Sequence, residues 1–174
     1  MTSGGKFPSP LAGVSRDTPL PTATAADGKS LVNLPQGTPS ESYQQFIRAY
    51  DTEKRGAFDV HVYYDQTDKD QTEYATELYE RIRREFPELR IYKLWDRPIG
   101  PHPVAMFEVS VFTPAQFGAF VPWLAVWRGP LSALVHPNTV PEEGETLMAA
   151  ELLDHTQRAI WLGEKQSLDL KIFA

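Results

Sequence analysis

The chain contains four histidines and no cysteine, so imidazole is its main candidate for metal binding or for acid–base chemistry near neutral pH. His61 lies in the alternating run 58–64, and His136 ends the apolar run 131–136. His102 stands between two prolines in the loop 98–103, and His155 lies near the C-terminus. Histidines at strand ends and in proline-restrained loops can form one site if the fold brings them together.

Hydrophobic periodicity predicts an α+β domain with the element order β-α-β-β-α-β. Apolar residues alternate with polar ones in the predicted strands and recur every three or four residues in the predicted helices. Pro87 ends the first helix, Thr113 begins the second, and Gly129 is placed to end it, while Pro122 predicts a kink or an early break. The strands are expected at 58–64, 89–95, 104–112 and 131–136, with a last helix at 151–162. This order is typical of a ferredoxin-like sandwich with a four-stranded antiparallel sheet.

The N-terminal third of the chain differs in composition from the rest. Residues 1 to about 40 are rich in Pro, Gly, Ser, Thr and Ala and show no sustained hydrophobic period. Such a segment buries too little apolar surface to offset the entropy lost on ordering. The sequence therefore predicts a flexible extension over 1–55 and a folded domain over 56–174.

The polar face of the predicted sheet gathers side chains that can hold a metal. If the apolar residues face the helices, the opposite face collects the polar residues of three adjacent strands. These are Asp59, His61 and Tyr63 from the first strand, Glu108 and Ser110 from the third, and Ser132 and His136 from the fourth. Two histidines and a carboxylate form the facial triad that binds Fe(II) with positions open for substrate and oxygen. His61, His136 and Glu108 are therefore the predicted ligands, although a one-residue shift in register would invert the faces.

The other two histidines are candidates for acid–base roles. Pro101 and Pro103 restrict the backbone around His102, which can place its imidazole at the rim of the site or merely in a tight turn. His155 follows Asp154 and can equally belong to a helix end. His102 is also a rival to Glu108 as the third ligand.

Composition excludes several classes of protein. A formal net charge of −6 with no basic cluster argues against nucleic-acid binding. The absence of cysteine excludes disulfides, thiolate metal sites and a cysteine nucleophile. The longest apolar stretch, 120–127, is too short to span a membrane, and the N-terminus lacks the apolar core of a secretory signal. A cytoplasmic protein is the expectation.

A series of short motifs resembles one known family. The motifs are Asp59-Val-His-Val-Tyr-Tyr64, Gly100-Pro-His-Pro103, Phe107-Glu-Val-Ser110, Val121-Pro-Trp-Leu124, Arg128-Gly-Pro-Leu-Ser132, Leu134-Val-His-Pro-Asn-Thr139, Asp154-His-Thr156 and Trp161-Leu-Gly163. Their types and order resemble the DOPA 4,5-dioxygenase family, small extradiol ring-cleaving enzymes of fungal pigment biosynthesis and their bacterial relatives. The resemblance covers about residues 57–163 and excludes the N-terminal extension.

The resemblance implies a non-haem Fe(II) enzyme that opens a catechol such as DOPA with O₂, in betalain-type pigment biosynthesis or aromatic catabolism. The matching histidines are His61, His102, His136 and His155. Strand parity favours His61, His136 and Glu108 as ligands, with His102 and His155 as acid–base groups. The expected partners are a small catechol and O₂, and a homodimer is a further expectation because an open sheet face often pairs.

Two other functions fit the same fold class, because ferredoxin-like domains serve many unrelated purposes. One is a ligand-binding or assembly module without catalysis, which would use its sheet face for dimerisation. The other is a metal-free monooxygenase or isomerase that uses a histidine as base. A requirement for iron distinguishes both from the dioxygenase.

Overall fold

The structure is a computed structural model, and it describes residues 9–35, 37–48 and 55–174. The chain divides into two compact units, 1–39 and 40–174. In the described part of the first unit, Thr24 and Leu31 form an antiparallel bridge, and the Ala25 amide donates to the Ser30 carbonyl at 2.8 Å. The predicted boundary between residues 55 and 56 lies beside the residues that are not described. That boundary and the flexibility of the extension remain predictions.

The described residues of the second unit form one antiparallel sheet of five strands, not the four that were predicted. The strands are β1 (Phe58–Tyr64), β2 (Arg90–Ile91), β3 (Ala105–Val111), β4 (Ser132–Pro137) and β5 (Ile160–Leu162). Their order across the sheet is β2-β3-β1-β4-β5. The first four strands are arranged as in a ferredoxin-like sandwich, with β1 in the centre, and β5 adds an edge beside β4.

The fifth strand replaces the end of the helix that was predicted over 151–162. The helix observed here, α3 (Leu147–His155), begins at Thr146, whose hydroxyl accepts from the Ala149 amide. After His155 the chain turns, and the Arg158 amide donates to the Leu153 carbonyl at 2.9 Å. The following residues, Ile-Trp-Leu, are of types that favour strands, and they pair with the exposed edge of β4. Pairing with β4 therefore determines the extended conformation of residues 160–162, and the local hydrophobic period does not predict such a long-range contact.

Two longer helices join the strands. The first, α1 (Lys69–Glu85), begins at Asp68, whose carboxylate accepts from two backbone amides of the first turn. The second, α2 (Pro114–Trp127), begins at Thr113 as predicted. The predicted break at Pro122 was wrong, because α2 continues through it. Pro122 lies on the exposed side of the helix, where water can bind the carbonyl that the proline leaves without a donor. Within the described ranges, no helix combines the length and apolar character needed to cross a membrane.

The two faces of the sheet bury different groups. The face towards α1 and α2 holds the main core, whose fully buried members include Val60, Val62, Phe107, Val109 and Val135. The opposite face holds a smaller cluster of Tyr63, Met106 and Leu134, with Trp95 and Trp161 packed against it. The predicted parity is therefore confirmed. Burying each large aliphatic side chain stabilises the fold by about 1.5–3 kcal/mol. A one-residue register shift would expose the main core and lose this free energy for every residue in it.

The end of α2 supplies a test of this architecture. Gly129 has φ +56°, and a Cβ there would overlap the ring of Tyr74, whose hydroxyl donates to the Trp127 carbonyl at 2.8 Å. We expect Gly129→Ala to lower the free energy of unfolding by about 2 kcal/mol, through left-handed strain and a weakened hydrogen bond. Gly118→Ala is the matched control, because Gly118 lies within α2 with open space around it. Urea denaturation should show that variant as stable as the parent or more so. Equal stability of the two variants would contradict the account.

Candidate metal centre

Two histidines from neighbouring strands bring their side chains into direct contact. His61 of β1 pairs in register with Leu134 of β4, and His136 pairs with Asp59, so both imidazoles stand on the face away from the helices. Their Nε2 atoms lie 3.0 Å apart. Only 3% of His61 and 1% of His136 is exposed. The register of a single strand pair thus places two ligand atoms together in a region closed to solvent.

His155 brings a third imidazole to the same place. Among the described residues, one ligand atom each from His61, His136 and His155 can be chosen so that all lie within 4.8 Å of one another. The Nδ1–H of His155 faces the Glu151 carbonyl at 2.9 Å, one helical turn earlier. Its Nε2 is therefore the nitrogen that remains for a metal.

A buried ion-pair network holds α3, and with it His155, against the end of β4. The Asp154 carboxylate accepts from the Thr139 amide at 2.8 Å and from the Arg158 guanidinium at 2.9 Å. The Thr139 hydroxyl donates to the same carboxylate at 3.0 Å. Asp154 therefore positions the helix, while the His155 ring itself is oriented by the Glu151 carbonyl.

Glu108 lies on the far side of His61 from the other two imidazoles. The two residues are direct cross-strand partners in β1 and β3. The Glu108 Oε2 atom is 3.8 Å from the His61 Nδ1 atom, whereas His61 uses Nε2 to approach His136. Burial, and secondly the charge of Asp59, raises the pKa of Glu108 to about 8. In this geometry Glu108 faces the His61 nitrogen that does not contact His136.

His102 occupies the edge of the cluster. A tight turn holds it: Ile99 and His102 exchange backbone hydrogen bonds at 3.2 and 3.0 Å, with Gly100 at φ +56° between them. The Nδ1 atom of His102 lies 2.7 Å from the Tyr63 hydroxyl, and its ring centroid is 4.1 Å from that of His61. The structure thus places His102 beside the three converging imidazoles but outside their group.

All four imidazoles are held neutral. Burial, followed by mutual repulsion with other histidines of the cluster, lowers the pKa of His102 to about 3 and that of His155 to about 4. The same causes hold the pKa of His61 well below its usual value, and burial lowers the pKa of His136. Neutral imidazole is the form that binds a metal ion.

The hydrogen-bonding pattern of the cluster fits a metal ion between the Nε2 atoms. The Nδ1–H of His136 faces the Pro137 carbonyl at 2.8 Å, so a neutral His136 presents a lone pair at Nε2. Without a metal, His61 must direct its proton at that lone pair, which leaves its buried Nδ1 without a partner. A metal held at Nε2 of His61 would instead leave that proton on Nδ1, on the side of Glu108. The 3.0 Å between the two Nε2 atoms would allow one ion to contact both of them.

The comparison with known proteins identifies the family of the chain. Residues 58–172 match the Dopa 4,5-dioxygenase family. The chain belongs to this family. The matched range contains all four histidines and Glu108.

Relatives of the chain come from fungi and a cyanobacterium. It is 61% identical over 166 residues to an uncharacterized 21.2 kDa protein of Botryotinia fuckeliana, covering 95% of this chain and 90% of that protein. It is 33% identical over 116 residues to a DOPA 4,5-dioxygenase of Amanita muscaria, covering 63% of this chain and 46% of the longer Amanita protein. The crystal structure of a proposed dioxygenase from Nostoc punctiforme superposes with a TM-score of 0.56 at 33% identity, covering 71% of this chain and 95% of that one.

Sequence reasoning missed the contribution of the C-terminal segment, residues 163–174. Its Asp169 amide donates to the Pro101 carbonyl at 2.8 Å, next to His102, and the Phe173 ring lies 4.9 Å from the ring of His155. The short 3-10 helix Leu170–Phe173 completes the segment. The segment contains no histidine and shows no clear period, so the sequence carried little signal of its place beside the site.

The neutral histidines predict a pH-dependent stability of the metal-free protein. An unfolded histidine titrates near pH 6.5, whereas His102 and His155 titrate near 3 and 4 when folded. Between these values the unfolded chain binds more protons, so the free energy of unfolding falls as the pH falls. The raised pKa values of Glu108 and Asp59 have the opposite effect on the free energy of unfolding, but these two carboxyl groups are outnumbered by the four imidazoles.

We therefore expect the free energy of unfolding to drop by about 2 kcal/mol or more from pH 7 to pH 5. Urea denaturation in a chelating buffer measures this drop. His102→Gln should show a smaller drop, because one titrating imidazole is gone. A flat profile for the parent protein would contradict neutral burial of the cluster.

Proposed function

We propose that this protein is an extradiol dioxygenase that opens the ring of a catechol with O₂ at a non-haem Fe(II) site. The observation that carries the proposal is the convergence of three neutral, buried imidazoles in a member of a dioxygenase family. The similarity to a DOPA 4,5-dioxygenase makes DOPA the first catechol to test. Pigment biosynthesis of the betalain type and aromatic catabolism are the two settings in which this chemistry would serve.

We assign the ligands as His61, His136 and His155, which revises the set predicted from strand parity. Glu108 faces Nδ1 of His61, so its role becomes that of an oxygen acceptor that orients a ligating imidazole. The Glu151 and Pro137 carbonyls do the same for His155 and His136. Each of the three ligands then has an oxygen acceptor facing its outer nitrogen.

His102 keeps its predicted role as the acid–base group. Its Nδ1 is occupied by the Tyr63 hydroxyl, so Nε2 is the nitrogen left to exchange a proton with a bound catechol. Burial raises the pKa of Tyr63, which keeps the phenol protonated and the hydrogen bond intact. Bound Fe(II) would supply the chemistry that the chain lacks, holding the catechol oxygens and bringing O₂ beside the ring.

The direct test is ring opening by the iron-loaded protein. Protein loaded with Fe(II) under anaerobic conditions is mixed with DOPA and then exposed to O₂. We expect a yellow ring-opened product and the consumption of one O₂ per catechol. Zn(II)-loaded protein is the control and should give no product, because zinc has no redox chemistry. Iron-loaded protein without product would favour a non-catalytic module, and turnover in the absence of iron would favour the metal-free alternative.

The ligand assignment predicts a specific pattern of iron retention. Alanine substitution of His61, His136 or His155 should each abolish stoichiometric iron, because a ligand is lost. Glu108→Gln should retain iron with about 10–100-fold weaker affinity, as expected for an outer partner of a ligand. His102→Gln is the matched control and should bind iron like the parent. Elemental analysis after dialysis measures all five variants. Loss of iron in Glu108→Gln together with full retention in His155→Ala would restore Glu108 as the ligand.

A further inference from the structure

The guanidinium of Arg55 joins the helix that carries His155 to the end of the strand that carries His136. Its Nη1 atom donates to the Glu151 carboxylate at 2.5 Å, and its Nη2 atom donates to the side-chain oxygen of Asn138 at 2.6 Å. Glu151 lies in α3, and Asn138 directly follows β4. One side chain therefore connects two of the elements that supply the proposed ligands.

Asn138 extends this connection to β1, the strand that carries His61. Its buried side-chain amide donates to the Asp59 carboxylate at 2.8 Å and to the Gly56 carbonyl at 2.9 Å. The Asn138 backbone amide donates to the Ala57 carbonyl at 2.8 Å, so the start of β1 is held beside the end of β4. Because both N–H groups and the oxygen of this side chain are in use, its position is fixed.

Glu151 stands between Arg55 and the imidazole of His155. The Glu151 carbonyl lies 2.9 Å from Nδ1 of His155, and its carboxylate lies 3.8 Å from the same nitrogen. Holding Glu151 with the Arg55 guanidinium therefore holds the turn of α3 that orients the ring. The side chain of Glu151 is 14% exposed and that of Arg55 is 36% exposed, so solvent screens this ion pair only in part.

A second arginine of the same segment, Arg48, makes contacts of a different kind. Its guanidinium pairs with Glu142 at 2.7 Å and donates to the Val140 carbonyl at 3.1 Å. Both of these residues precede α3, and the Glu142 side chain is 71% exposed. Exposed ion pairs contribute little to the geometry of distant groups. Arg48 is therefore the natural comparison for Arg55.

We propose that Arg55 is a positioning residue of the metal centre, which holds His155 in place through Glu151. With the ring held in this orientation, Nε2 of His155 can join the other two ligands. The inference rests on the ligand set of the proposed function, and it does not depend on the ring-opening step. Arg55 precedes residues 58–172, so the family match does not assign it.

Cobalt binding to the full-length protein tests this role without any turnover. Co(II) alone is the probe, because its visible absorption bands change with the number and geometry of its ligands. Arg55→Met should weaken the affinity for Co(II) about tenfold and shift the bands at saturation, because His155 would bind in an altered position. Arg55→Lys should recover part of the affinity, since an ammonium can still pair with Glu151. Arg48→Met is the matched control and should bind Co(II) within about twofold of the parent.

A double-mutant cycle separates positioning from a general loss of stability. Glu151→Gln removes the charge that Arg55 contacts but keeps the backbone carbonyl that faces His155. It should weaken Co(II) binding about as much as Arg55→Met does, and the double variant should be no weaker than either single variant. Urea denaturation of the metal-free proteins completes the test. A purely structural role would lower the stability of Arg55→Met and leave its Co(II) affinity and bands unchanged, which would overturn the proposal.

Equal losses of affinity in Arg55→Met and Arg48→Met, or additive losses in the double variant, would also overturn it. A parent protein that binds no Co(II) would refute the metal centre and the role of Arg55 together. Ring opening by the iron-loaded protein remains a separate test. Co(II) binding that depends on Arg55, without any ring-opened product from DOPA, would support the positioning role and refute the dioxygenase.

Discussion

The 3.0 Å contact between Nε2 of His61 and Nε2 of His136 is the interaction around which the rest of the site is arranged. Two buried imidazoles at this distance cannot both direct a proton at the contact, and a proton moved to Nδ1 of His61 needs an acceptor there. Glu108 is placed on that side by the register of β1 and β3. The strand pairing that buries the apolar core therefore also determines the geometry of the histidine cluster.

Several parts of the chain exclude solvent from the histidine cluster and pair the buried polar groups around it. Buried polar groups cost free energy unless they are paired, and the structure pairs nearly all of those around the imidazoles. The Asp154 carboxylate is satisfied by Thr139 and Arg158, and the buried Asp59 carboxylate by Ser110 and Asn138. The exception at the centre is Nδ1 of His61, which a bound metal would convert into a donor facing Glu108.

Much of the fold could be predicted from the sequence because it depends on local pattern. Alternation in β1 and β3 and helical spacing in α1 revealed the sheet, its faces and the shared face of His61, Glu108 and His136. The remaining errors concern contacts between distant segments. The strand β5 exists because β4 offers an edge, and Pro122 stays within α2 because its side of the helix is exposed. Parity also leaves the ligand set open, because it identifies a face but not which nitrogen of His61 points towards Glu108.

The central claim is that Nε2 of His61, His136 and His155 bind one iron. Crystals of the protein loaded anaerobically with Fe(II), measured on both sides of the iron absorption edge, test it most directly. The account predicts one anomalous peak within bonding distance of these three Nε2 atoms, with the Glu108 carboxylate hydrogen-bonded to Nδ1 of His61. A peak bonded to a Glu108 oxygen or to His102, or no peak in crystals that contain iron, would contradict it.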